Sequence, residues 1–128
     1  MEKIKEKITG KTVFVTGATG LIGTSLCRKL IKMGAKVVAL VRDARKAAAR
    51  LPDEVKLVVG DATRVIEYAG DVDFIVHAAS PTASKDFCDH PVEVMEAISK
   101  GAFNVLSFAM AKKISGLVFL STKILLSS

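Results

Sequence analysis

Aromatic residues are scarce in this sequence: tryptophan is absent and Tyr68 is the only tyrosine. That scarcity decides how the net charge of +6 is read. A nucleic-acid-binding face gathers Lys and Arg into a stripe with aromatics between them. Here the cations are spread over residues 3–7, 42–50 and 112–113, with almost no aromatic beside them. The charge therefore reads as a solvated surface biased toward small anionic ligands, and no nucleic-acid partner is expected. Cysteine is sparse too. Cys27 and Cys88 form no Cys-x-x-Cys pair, and Cys27 falls in an apolar helical pattern, where a buried thiol is the ordinary outcome. No apolar run approaches the roughly 18 residues that span a bilayer, so no membrane partner is expected. Residues 1–8 alternate in charge and lack the apolar centre of a secretory signal, which makes a cytoplasmic protein the economical expectation.

What the chain does have is an ordinary globular balance, half hydrophobic and a quarter charged, over 128 residues. That length suits one domain, 1–128. Short apolar runs alternate with helical patterns. Residues 12–15 read as a buried strand ended by Thr16-Gly17, and 21–33 as a helix stopped by Gly34. Residues 37–41 form a second strand, and 43–51 a basic, alanine-rich helix closed by Pro52. A third strand covers 55–59, with a polar segment at 64–68, and a fourth covers 74–76. Pro91 opens a long helix to about residue 113, and 117–120 is a fifth strand. Repeats, low-complexity tracts and an interdomain linker are missing. Strands of this length alternating with helices predict a doubly wound α/β domain whose parallel sheet has the order 3-2-1-4-5.

The long helix carries more apolar positions than one sheet contact requires: Val92, Val94, Met95, Ile98, Ala102, Val105, Leu106, Ala109 and Met110. Either a second copy of the helix, giving a homodimer through 91–113, or residues beyond this chain would cover the surplus.

Strand one runs directly into Thr16-Gly17-Ala18-Thr19-Gly20-Leu21-Ile22-Gly23 and then a helix. A pyrophosphate needs backbone N–H donors and a helix N-terminus brought close, and a misplaced Cβ blocks that approach. Gly17 suits the tight turn, Gly20 the close approach, and Gly23 the contact between helix and strand. The strand-to-helix setting is what gives the pattern weight. Lacking a Gly-Lys-Ser/Thr, the loop is not a Walker loop. These residues point to a Rossmann domain binding a nicotinamide dinucleotide.

The spacing Thr-Gly-x-x-Gly-x-x-Gly resembles the extended branch of the short-chain dehydrogenase/reductase family, the sugar-nucleotide epimerases and dehydratases. The resemblance continues at Gly60-Asp61-Ala62 after strand three and at His77-Ala78-Ala79-Ser80-Pro81 after strand four. It implies that Asp61 meets the adenine amino group. It implies also that the small residues Ala78, Ala79 and Ser80 let the backbone pass along the cofactor. Ser80-Pro81 and His90-Pro91 look like the UDP-glucuronate decarboxylase and dTDP-glucose dehydratase end of that family.

The end of strand two bears on the choice between NADP and NAD. An acidic residue there accepts the ribose hydroxyls, while an arginine pairs with a 2′-phosphate. This chain has Val41 followed by Arg42, which favours NADP. Asp43 keeps NAD open should the turn be one residue longer, as does a merely solvated Arg42.

Catalysis in the family resembles a proton relay from a strand-five hydroxyl to a Tyr-x-x-x-Lys pair whose lysine lowers the tyrosine pKa. Thr122 aligns with the hydroxyl. The pair itself is missing, since Tyr68 is followed four residues on by Val72. In the long helix Ile98 and Ala102 flank Gly101, where the family commonly has Asn and Thr. The expectation is the N-terminal, NAD(P)-binding portion of a nucleoside-diphosphate-sugar epimerase or dehydratase, inactive alone, with a nucleotide-sugar substrate only in a full-length form. The rival expectation is a non-catalytic NADP-sensing or partner-binding Rossmann module.

Three other constellations are set aside. Asp86-Phe87-Cys88-Asp89-His90 gathers ligand types, but neighbours in one loop rarely converge on one ion, so no metal site is expected. His77, at a strand end, could be mistaken for a catalytic base, but the same resemblance implies a structural residue there. Ser121 has no His and acid placed to activate it.

Overall fold

The computed structural model describes residues 6–18, 21–78 and 89–119, without the Leu21 side chain. In chain order the elements are β1 (Thr12–Thr16), α1 (Leu21–Lys32), β2 (Lys36–Val41), α2 (Ala44–Arg50), β3 (Lys56–Val59), β4 (Phe74–His77), α3 (Pro91–Lys112) and β5 (Gly116–Phe119). Expected boundaries are met to within about one residue at the described ends. Leu120 lies outside the described residues.

The five strands form one parallel sheet of order β3-β2-β1-β4-β5, as the alternation of strand and helix predicts. Alternate side chains of each strand feed opposite faces. Val13 and Val15 point to a cluster with Cys27, Leu30, Val37, Ala39, Val41 and Ala47, beneath α1 and α2. Phe14 points the other way, into a cluster with Val38, Leu40, Ile75, Val105 and Phe108, beneath α3. Both faces being covered explains why the strands are continuous apolar runs without a polar alternation. Phe14 is completely buried, with its ring 4.7 Å from Phe108 and 5.8 Å from Tyr68 between centroids.

The register sets the C-terminal strand ends side by side. Thr16 lies opposite both Leu40 and His77, Val41 opposite Val59, and His77 opposite Phe119. Between β1 and β4 the chain reverses its direction of travel across the sheet, and ligands of open α/β sheets bind at such a point. Among the described residues no helix is long and apolar enough to cross a membrane.

One sequence expectation is corrected in α1. The helical spacing of Ile22 with Leu26, Leu30 and Met33 predicts one shared apolar stripe, yet Ile22 is 59% exposed. The buried face runs through Gly23, Cys27 and Leu30, one position further along the helical repeat.

Candidate cofactor site

A cleft of about 630 Å³ opens at the C-terminal ends of β1, β2, β3 and β4, within the size range of small-molecule sites. Its floor is Thr16, Gly17, His77 and Ala78. Arg42, Asp43, Lys46, Arg50, Asp61 and Thr63 form one wall, and Ala97, Ile98 and Gly101 of α3 contribute to the other.

The floor is shaped by glycine. Gly17 has φ +70°, in the left-handed region that an L side chain rarely adopts. Gly23, in the first turn of α1, packs directly on it: a Cβ there would overlap the Gly17 carbonyl oxygen and stand 2.8 Å from the Ala18 Cα. The Thr24 hydroxyl donates to the Ala18 carbonyl at 3.1 Å and fastens the same junction. The start of α1, with backbone N–H groups that have no partner inside the helix, is thereby held against the end of β1. A dinucleotide pyrophosphate needs this cradle, and the residues present fit it.

The cationic wall has its own local order. Asp43 is the N-cap of α2, its Oδ1 accepting from the N–H of Arg45 at 3.0 Å and of Lys46 at 3.3 Å. Its carboxylate is thus engaged in holding the helix. Arg42 is 76% exposed, with one guanidinium nitrogen 3.8 Å from Asp61 Oδ1. The same oxygen accepts from the Thr63 N–H at 3.0 Å. That backbone bond, with smaller help from Arg42 and Arg64, holds the Asp61 carboxyl below its ordinary value. Asn104 of α3 donates to the Ala62 carbonyl at 2.8 Å and ties this turn to the long helix.

His77 is buried, its Nδ1 sharing a 2.5 Å hydrogen bond with the Thr16 hydroxyl and its ring edge-on to Phe119. Burial depresses its pKa and favours the neutral ring.

Of the residues singled out from sequence, Gly17, Arg42, Asp61, Ala62 and Ala78 line the cleft together. Gly23 lies beneath it, and Ile22 is exposed outside its lining. Leu21 begins α1, while Thr19, Gly20, Ala79, Ser80 and Thr122 lie outside the described residues, as do residues 86–88 of the set-aside metal candidate. Sequence reasoning passed over Lys46, Arg50, Thr63 and Asn104. Lys46 and Arg50 stand four apart on one face of α2, a spacing that could have been noticed. Asn104 carried a fainter signal, as an amide between apolar neighbours in mid-helix. Tyr68 is remote from the cleft, packed on Phe14 under the ammonium groups of Lys56 and Lys112.

Comparison with known proteins agrees with this geometry. An oxidoreductase of Schizosaccharomyces pombe is 31% identical over 116 residues, covering 83% of this chain and 34% of that protein. The solved epimerase Mth375 of Methanothermobacter thermautotrophicus superposes with a TM-score of 0.78 at 24% identity, over 94% of this chain and 38% of that one. The UDP-glucose 4-epimerase of Thermus thermophilus, solved in complex with NAD, gives 0.73 at 24% identity over 87% of this chain and 37% of that one. The chain therefore spans between a third and two-fifths of the length of these three proteins. Residues 13–125 match the profile of a single family. By that match, and with a glycine junction and sheet order to suit, the chain belongs to the NAD dependent epimerase/dehydratase family.

Proposed function

We propose that this chain binds a nicotinamide dinucleotide, NADP in preference to NAD, as the cofactor-binding portion of a nucleoside-diphosphate-sugar epimerase or dehydratase. The observation that carries the reading is the packing of Gly23 on Gly17 at the floor of the switch-point cleft. In this reading the pyrophosphate meets Gly17, Thr19 and Gly20 and the first N–H groups of α1, at Leu21, Ile22 and Gly23. The exposed Ile22 side chain is no obstacle, because only its backbone is used. Asp61 and Ala62 take the adenine, and Ala78, Ala79 and Ser80 pass the inner ribose. Arg42 takes the 2′-phosphate. Lys46 and Arg50 on the same wall support that choice by making the local potential positive. The engagement of Asp43 as a helix cap supports it too, since a capping carboxylate is less available to ribose hydroxyls.

When bound, the dinucleotide supplies a hydride acceptor for a sugar hydroxyl carbon. Thr122 would orient that hydroxyl, and no Tyr-x-x-x-Lys in the 128 residues takes its proton. The one tyrosine, Tyr68, is half-buried against Phe14, away from the cleft. That placement favours a second reading, a non-catalytic NADP-sensing or partner-binding module. A cytoplasmic setting goes with either reading, supported by the free, buried thiol of Cys27.

Calorimetric titration with NADPH and NADH tests the proposal. NADPH should bind more tightly, Arg42→Ala should weaken NADPH selectively, and turnover of nucleotide sugars by this chain should be nil. No binding of either cofactor would sink the proposal. Equal binding of both, unchanged by Arg42→Ala, would remove the preference for NADP. Measurable turnover would overturn the assignment of an inactive portion and the non-catalytic reading alike.

A further inference from the structure

The turn after β3 has no helix behind it. Residues 60–73 carry the chain from β3 to β4 without one, although the crossovers of a doubly wound sheet are ordinarily helical. The hydrogen bonds within the turn are short-range. The Thr63 N–H donates to Asp61 Oδ1 and the Arg64 N–H to the Asp61 carbonyl, both at 3.0 Å. The Gly60 N–H donates to the Val41 carbonyl at 2.8 Å and ties the start of the turn to β2. These bonds set the shape of the turn without setting its distance from α3.

That distance is the width of one end of the cleft. Asp61, Ala62 and Thr63 line it on one side, and Ala97, Ile98 and Gly101 of α3 on the other. Ala97, Gly101 and Asn104 follow one another at helical spacing on one face of α3. Asn104 stands just beyond the lining, half-buried, and its Nδ2 donates to the Ala62 carbonyl at 2.8 Å. A directional bond therefore runs from one wall to the other. Ala62 also packs on the apolar cluster beneath α3, but that contact has no direction of its own. A carbonyl can only accept, so the contact needs the donor of the amide. An apolar side chain of the same size would leave the Ala62 oxygen unpaired, and the turn would have to shift to reach water.

We propose that Asn104 is a positioning residue for the adenine half of the dinucleotide, fixing the gap between the turn after β3 and α3 through the Ala62 carbonyl. This role rests on the reading of Asp61 and Ala62 as the adenine contacts, and Asn104 itself touches no part of the cofactor. Asp61 meets the adenine amino group only while the turn keeps its place against α3, so what Asn104 contributes is discrimination of the base. By calorimetry, the wild-type chain should bind NADPH more tightly than its hypoxanthine analogue, in which a carbonyl replaces the adenine amino group. Asn104→Leu should weaken NADPH by about three- to tenfold, the worth of one neutral hydrogen bond, and leave the analogue nearly unchanged. A merely structural loss would weaken both alike. Asn104→Ala leaves room for a water on the carbonyl and should show the same selectivity at smaller amplitude, which keeps the test open if Asn104→Leu unfolds the chain. Without any ligand, amide exchange followed by NMR should be faster by about threefold or more at Thr63 and Arg64 in Asn104→Leu, and unchanged in β1. Equal loss of NADPH and its analogue, or unchanged exchange at Thr63 and Arg64, overturns the proposal. NADPH binding indifferent to both variants overturns it alone and leaves cofactor binding standing. No binding of NADPH by the wild-type chain overturns both.

Discussion

Gly23 touches Gly17 so closely that the hydrogen on its Cα stands where any other residue would place a carbon against the Gly17 carbonyl. The nearest atoms are backbone, so no flexible side chain can swing aside. Gly23→Ala must push the start of α1 away from β1. The expected cost is about 1–3 kcal/mol of unfolding free energy, measured by urea denaturation, as for other overpacked sites. Affinity for NADPH should fall by at least about tenfold, because donors displaced by an ångström no longer converge on one phosphate. Gly101→Ala is the control. Its Cβ would meet only the His77 ring, at 3.7 Å, an ordinary contact. That variant should keep its fold and gain up to about 1 kcal/mol, the usual return for replacing glycine inside a helix.

Asp61 and Arg42 share a wall but should fail differently. The Asp61 carboxylate accepts from the Thr63 N–H and lies 3.8 Å from the Arg42 guanidinium. Asp61→Ala removes the acceptor that shapes the turn after β3, so it should weaken NADPH and NADH alike. Arg42→Ala should spare NADH. Comparing the two cofactors on each variant, by calorimetry, separates the adenine contact proposed for Asp61 from the 2′-phosphate contact proposed for Arg42. A selective loss of NADPH in Asp61→Ala would contradict this division.

Much of this architecture was legible from the chain itself because it rests on short-range chemistry. The runs at 12–15 and 37–41 are apolar on both faces, which only a doubly covered parallel sheet needs, and Thr16-Gly17 follows directly. Other features depend on neighbours distant in sequence. Ile22 matches the apolar helical spacing, yet Gly23 must face β1, and that single contact rotates Ile22 outward. Asn104 joins a loop 42 residues away, so no local pattern could identify its acceptor at Ala62. The surplus of apolar residues on α3 was plain from their number. Which ones are surplus was not: Val94 and Met95 are neighbours in sequence, and only the sheet decides which is buried.

His77 makes stability depend on pH in a defined direction. Burial beside Thr16 and Phe119 holds its folded pKa below the ordinary 6.5. As pH falls, the unfolded chain takes up the proton first, so this contribution is complete above pH 6.5 and shrinks below it. Asp61 acts in the same direction, but its lowered pKa matters only below its ordinary 3.8. Urea midpoints should therefore decline as pH drops through the range of an unfolded histidine. His77→Gln, which has no proton to take up, should flatten that decline. An equally steep decline in the variant would assign it to another group.

Cys27 should be chemically silent in the folded protein. The side chain is fully buried among Val13, Val15 and Leu30, and desolvation raises its thiol from 9.0 to about 11. Alkylation requires the thiolate and access to it, and both are withheld. Iodoacetamide near pH 8 should leave Cys27 unmodified in the native chain and modify it completely in urea, followed by peptide mass spectrometry. The rate of any slow native labelling then reports how often α1 lifts from β1, since the thiol is reached only when that layer opens. Gly23→Ala, which pries the same helix away at its first turn, should accelerate that labelling. A dinucleotide bound across the junction should retard it in the wild-type chain. Rapid labelling of the native protein without either perturbation would mean that the layer beneath α1 is not closed.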